Sequence, residues 1–175
     1  MSAPSAKMLI LTGKEFACIR IIGRATFTTS IDLRTVVEEL RRRGYSWFVL
    51  ELSECALMDS TFLGVLAGYG LKMSGPHPSP DAPFIELLNP NQRVTELLES
   101  LGVLHLFKLA QGPLNVPADA QARTHVPTAS TREEITRASL EAHQCLMEIN
   151  PSNVAKFKDV AQFLAEDLKR MKSSQ

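Results

Sequence analysis

Residues 51–66 read Glu51-Leu52-Ser53-Glu54-Cys55-Ala56-Leu57-Met58-Asp59-Ser60-Thr61-Phe62-Leu63-Gly64-Val65-Leu66. Upstream, Trp47 to Leu52 is apolar and suits a core strand. Ser53 and Glu54 break it, and Cys55 to Met58 forms a short loop. A helix opens at Asp59-Ser60-Thr61, with Asp59 as N-cap and the Ser60 hydroxyl in the first turn near the surface. Leu63, Leu66, Ala67 and Leu71 give this helix one apolar face, while Gly64, Gly68 and Gly70 keep it slim enough for close approach by a strand or a partner.

Working outward towards the N-terminus, Ser30 reads as an N-cap, and Leu33, Val36, Val37 and Leu40 follow at helical spacing. That helix ends through Arg41, Arg42 and Arg43 at Gly44, where cations suit the helix dipole. Phe16 to Ile22 reads as a buried strand, paired with Met8 to Thr12 through a turn at Gly13. Towards the C-terminus, four prolines in nine residues make 75–83 a loop. Phe84 to Leu88 is a strand, Asn89-Pro90 opens a helix that runs to Leu101-Gly102, and Leu104 to Leu109 is a last strand. The strand-helix alternation predicts an α/β fold, a mixed sheet with helices packed on it.

Residues 111–129 lack periodicity and read as a linker. Thr131 to Glu134 has the form of a capping box, followed by Ile135, Ala138, Ala142, Cys145 and Ile149 at alternating spacings of three and four, with Leu146 alongside. Leu140 and Met147 lie off this stripe and imply a second contact face. After Asn150-Pro151, a further stripe comprises Val154, Phe157, Ala161, Leu164, Leu168 and Met171, widened by Val160 and Phe163. The expected organisation is a sheet domain at 1–110, a linker at 111–129 and a C-terminal α-helical hairpin at 130–175. The hairpin would bury its stripe against itself, the sheet domain or another chain, and so permits a homodimer.

Charge narrows the function. The 19 basic and 19 acidic side chains cancel, 11 of each in residues 1–110 and 8 of each beyond. Such a balance argues against nucleic acid or an anionic membrane as partner. No apolar run is long enough to insert into a bilayer, and a cytoplasmic location is expected. Cys18, Cys55 and Cys145 are odd in number and sit in apolar segments, which fits buried thiols better than disulfides or zinc. His77, His105, His125 and His143 share no ligand spacing, and packing or surface roles are expected of them. No phosphate-binding loop, Gly-x-Ser-x-Gly elbow or zinc-protease helix is present, so neither a cofactor nor an enzyme is expected. Trp47 and Phe48 read as packing residues.

Residues 51–66 resemble the signature of the STAS domain, the anti-sigma-factor antagonist family, in which a strand ending in an acidic residue, Leu and Ser leads to Asp-Ser-Ser/Thr-x-Leu-Gly at a helix start. Asn89 to Phe107 is similar to the family's later part, with Val94, Leu97, Leu98, Gly102 and Phe107 in register; together the likeness spans about residues 7–110. The resemblance implies a non-enzymatic module that binds a GHKL-type serine kinase acting as an anti-sigma factor, is phosphorylated by it and is restored by a phosphatase. Ser60 would then be the phosphoacceptor, Thr61 a secondary candidate, and Asp59, Phe62, Gly64, Arg24 and Thr26 partner-facing positions. Gly23-Arg24-Ala25-Thr26 stands where the family often has an acidic loop, Glu51 where Asp is usual, and Phe62 where glycine is frequent, adding an exposed or partner-facing aromatic. A phosphate on Ser60 would sit at the positive end of its own helix but would be costly to desolvate beside Asp59 and Glu54 under a partner. The alternative is a constitutive STAS adaptor without phosphate control.

Overall fold

The computed structural model describes residues 6–74 and 84–174; the expected loop at 75–83, with His77, lies outside them. Seven strands, β1 (Lys7–Thr12), β2 (Ala17–Ala25), β3 (Trp47–Glu51), β4 (Cys55–Met58), β5 (Phe84–Leu88), β6 (Lys108–Ala110) and β7 (Gln121–Thr124), form one mixed sheet. Its order is β6-β5-β3-β2-β1-β7, with β4 paired to the far end of β2. β6, β5, β3 and β2 run parallel, whereas β1 and β7 are antiparallel to their neighbours.

Helices α1 (Phe27–Arg42), α2 (Ser60–Ser74), α3 (Gln92–Ser100), α4 (Arg132–Ile149) and α5 (Val154–Ser173) complete the molecule. Ile10, Ile19, Ile21, Leu50, Ile85 and Leu87 alternate onto the sheet's covered face and meet Leu33, Val36, Val37 and Leu40 of α1 and Leu63 and Leu66 of α2. A smaller cluster of Phe16, Cys18, Val49 and Leu88 occupies the other face beneath Leu114. Burial pushes the Cys18 thiol up to about 12, helped by the nearby Glu51 carboxylate.

Several elements differ from the sequence expectation. Helix α1 starts at Phe27 with Thr26 as N-cap, and Ser30 is buried one turn inside it, its hydroxyl donating to the Phe27 carbonyl. Residues 55–58 form β4, a strand rather than a loop. Helix α3 is capped by Asn91, whose Oδ1 accepts from the Val94 N–H at 2.9 Å, and Asn89 instead takes a left-handed turn at φ 58°. Leu104–Leu106 is a 3-10 turn, so the last parallel strand begins only at Lys108. Within the expected linker, residues 121–124 extend the sheet as β7, an edge strand of four exposed residues whose polar sequence gave no alternation to read. Trp47 is 40% exposed, stacked on Phe84 and edge-on to Phe16, whereas Phe48 is buried. Leu71 is exposed too, although its spacing places it with the apolar stripe.

The C-terminal helices form the expected hairpin, and it packs on the sheet domain. The Thr131–Glu134 capping box is formed. Leu140 and Met147, off the main stripe of α4, meet Ala161, Leu164 and Leu168 of α5. The opposite side of α4 places Ala142 and Leu146 in the main core. The turn is pinned by the fully buried Asn153, whose Nδ2 donates to the carbonyls of Leu101 and Leu146, both at 2.9 Å. Val160 and Phe163 do not widen the buried stripe; both are exposed on α5.

Candidate functional site at the α2 N-terminus

Strand β4 brings the chain alongside the end of β2, where the Asp59 N–H donates to the Ala25 carbonyl at 3.0 Å. Asn91 fixes β4 from the other side, its Nδ2 donating to the carbonyls of Cys55 and Ala56. Asp59 then caps two helices at once. Its Oδ1 accepts from the Phe62 N–H of α2 at 2.8 Å, as its expected N-cap role requires, and its Oδ2 accepts from the Phe27 N–H at the start of α1 at 2.7 Å. Two helix N-termini, each carrying partial positive charge, therefore converge on one carboxylate. Thr26 N–H is satisfied by Thr29 Oγ1 at 2.9 Å.

Ser60 is the first residue of α2 and is half-buried. Its Oγ lies 2.8 Å from Nε2 of His143, a residue of α4 that is only 4% exposed. His143 Nδ1 sits 2.7 Å from the Ser139 carbonyl, an acceptor with no proton to give, so Nδ1 carries the ring proton and donates. In the neutral ring Nε2 is then the acceptor and the Ser60 hydroxyl the donor. The ring also packs against Phe157 of α5, 4.9 Å between centroids. Next to this bond the hydroxyls of Thr61 and Ser139 pair at 3.0 Å. One turn on, a Cβ on Gly64 would lie 2.6 Å from the Ala142 carbonyl oxygen, so only glycine lets α4 approach so closely. Farther along, Gly68 faces Cys145. Burial, and secondarily Glu148, raise the Cys145 thiol above its ordinary range.

The sequence-predicted positions thus separate. Asp59, Ser60 and Thr61 come together at the helix start, and Arg24 and Thr26 lie beside them at the end of β2, Arg24 exposed. Phe62 is a correction: it is 0% exposed and belongs to the sheet core, not to a partner-facing surface. Gly64 is open to no external partner, because α4 of the same chain already occupies its face. The exposed aromatic at this end is Phe27, 46% accessible, with Thr28 exposed beside it. Sequence reading missed Phe27, His143 and Ser139. A signal for the latter two existed: Ser139 and His143 lie one helical turn apart, each beside a small alanine of the stripe, Ala138 and Ala142. That pattern suits close packing on a polar patch.

Elsewhere, His125 Nε2 and the Thr128 N–H both reach the buried Asp32 carboxylate, at 3.0 and 3.1 Å, fastening the segment after β7 to α1. Among the described residues no cluster of His, Cys, Asp or Glu could hold a metal ion, and no helix is long and apolar enough to cross a membrane.

No family model matches the chain, nor does any curated protein. Solved structures do match it. A Thermotoga maritima protein assigned as an anti-sigma factor antagonist aligns with a TM-score of 0.50 at 20% identity, covering 58% of this chain and 83% of that one. The anti-sigma factor antagonist SpoIIAA in its unphosphorylated form gives 0.47 at 16% identity, covering 62% of this chain and 90% of its own. The Bacillus cell fate determinant SpoIIAA in the phosphorylated form gives 0.46 at 17%, covering 60% and 91%. With a parallel β2-β3-β5-β6 core, an antiparallel β1 and helices packed on it, the chain carries the STAS fold found in the anti-sigma factor antagonist of Thermotoga maritima.

Proposed function

We propose that this chain is a non-enzymatic regulatory binding protein of the anti-sigma factor antagonist kind, which engages a GHKL-type serine kinase and is switched by phosphorylation at Ser60, with a phosphatase restoring it. The observation that carries this reading is the placement of Ser60. It is half-exposed, immediately after a carboxylate that caps two helices, at a point where both helix dipoles favour added negative charge. A phosphate there is compatible with the sheet domain and adds a charge of about −1.5 to −2 to the surface around Phe27, Arg24 and Thr28. That surface is the part of the site the hairpin leaves open, and it offers a partner one exposed aromatic ring and one cation.

A second reading, the constitutive adaptor, is favoured by the bond between Ser60 and His143, which gives the hydroxyl a structural role. The two separate in one experiment. Full-length wild type, Ser60→Asp and Phe27→Ala are used as baits in lysate of the native host, with bound proteins identified by mass spectrometry. The expected result is recovery of a serine kinase by wild type and at least tenfold less by each variant. Equal recovery of the same proteins by wild type and Ser60→Asp would contradict phosphate control and leave the adaptor.

A further inference from the structure

Helix α2 carries α4 on its outer face. Ten of its fifteen residues are buried, on both sides of its first turns: Phe62, Leu63 and Leu66 join the sheet core, while Thr61 and Gly64 lie under α4, with Gly68 half-buried beside it and Leu71 and Lys72 exposed farther on. In this chain the occupant of the outer face is α4, and it is seated by features that are polar and close-fitting as well as apolar: Ser60 to His143, Thr61 to Ser139, and Gly64 against Ala142.

We propose that the C-terminal hairpin is a displaceable resident of the Ser60 face, and that a phosphate on Ser60 expels it. The inference rests on Ser60 being the phosphoacceptor. At 2.8 Å the Ser60 oxygen and the His143 nitrogen are in hydrogen-bond contact, which leaves no room for a phosphoryl group on the side of that oxygen facing His143. The ring cannot yield alone, since its other nitrogen is held by Ser139 and its face by Phe157. The helix cannot slide inward, since Gly64 and Ala142 are already in contact. Phosphorylation also removes the hydroxyl hydrogen, and with it the bond that Ser60 donates to Nε2 of the neutral ring.

The chain around the hairpin suits such a movement. Thr128 is fastened to Asp32, the helix cap begins at Thr131, and Ala129 and Ser130 between them supply a hinge. At the far end, Asn153 holds the turn on Leu101 and also binds the Leu146 carbonyl of α4, so α4 swings only when that second bond breaks, while β7 stays in the sheet. Expulsion bares an apolar, glycine-notched groove on α2. The ligand that fits it is an amphipathic partner helix with a small residue opposite Gly64 and a hydrogen-bonding side chain near Thr61, the pattern α4 itself carries.

Cys145 reports the movement without any partner. Contrary to the expectation of three buried thiols, it is half-buried at the α4–α2 contact near Gly68, whereas Cys18 and Cys55 are buried in the sheet domain. Full-length protein carrying phosphoserine at position 60, introduced during translation, is compared with unmodified protein for the rate of maleimide labelling at each thiol, with Gly64→Val as a sterically opened control. The expected result is at least tenfold faster labelling of Cys145 in the phosphorylated chain, with Cys18 and Cys55 protected in both. Two results overturn the proposal: an unchanged Cys145 rate while Gly64→Val labels fast, or loss of protection at all three thiols together, which is unfolding rather than release. Failure of the Ser60 switch itself is read separately, from identical partner recovery in the bait experiment.

Discussion

Gly64→Val is expected to force α4 off α2 and to lower stability by about 3 kcal/mol. A branched side chain must occupy space where even a Cβ would meet the Ala142 carbonyl oxygen at 2.6 Å. Overpacking of this kind costs about 1–3 kcal/mol, occasionally more, and here the obstacle is backbone rather than a flexible side-chain end. Gly68 supplies the control. A Cβ there meets only the Cys145 sulfur at 3.6 Å, an ordinary contact, so Gly68→Ala should be tolerated and should gain up to about 1 kcal/mol from helix propensity. Urea unfolding of both variants, with hydrogen exchange at the α4 amides, checks the pair. Equal stability of the two would show that α4 is not seated on Gly64.

Asp59→Ala is the second substitution with a large expected effect, about 2–3 kcal/mol. Loss of an ordinary N-cap costs about 0.5–2 kcal/mol, and Asp59 caps two helices through charge-assisted bonds. Removing it leaves the N–H groups of Phe27 and Phe62 without their acceptor. Asp59→Asn should restore about half the loss, because its amide presents one acceptor oxygen and turns a donor towards the other N–H. Denaturant midpoints of the three proteins give the comparison. A cost under about 0.5 kcal/mol for the alanine variant would mean that Asp59 is a surface residue rather than a joint between helices.

These two substitutions also mark what the sequence could reveal. The Asp59-Ser60-Thr61 helix start was legible because capping is local: the acceptor and the donor it serves are three residues apart. The core stripe of α1, the apolar strands and the capping box of α4 were legible for the same reason, since each depends on spacing within one element. The start of α1 was not, because the acceptor for the Phe27 N–H comes from Asp59, distant in the chain. Strand β7 was hidden as well: at a sheet edge, with both faces exposed, pairing is decided by the partner's backbone and leaves no alternation in the side chains.

The same distinction governs the site. That Ser60 opens a helix follows from neighbouring residues; that its hydroxyl is spoken for by His143 depends on a contact between residues 83 positions apart. Gly64 shows both sides of this. Its lack of a side chain predicted a close approach, and the structure supplies the approaching group, which is the chain's own α4. Phe62 was misjudged because family likeness suggested an exposed position, whereas the turn geometry set by Asp59 directs that ring into the sheet core.

On the proposed function, Ser60 is a point of control rather than only a structural hydroxyl. The most direct test is phosphate mapping by tandem mass spectrometry, on full-length wild type and Ser60→Ala incubated with ATP in lysate of the native host. The expected result is a phosphate on Ser60 in wild type and none at position 60 in Ser60→Ala. A peptide without phosphate at Ser60 in wild type, recovered under conditions where other serine kinase substrates in the same lysate are modified, would contradict it.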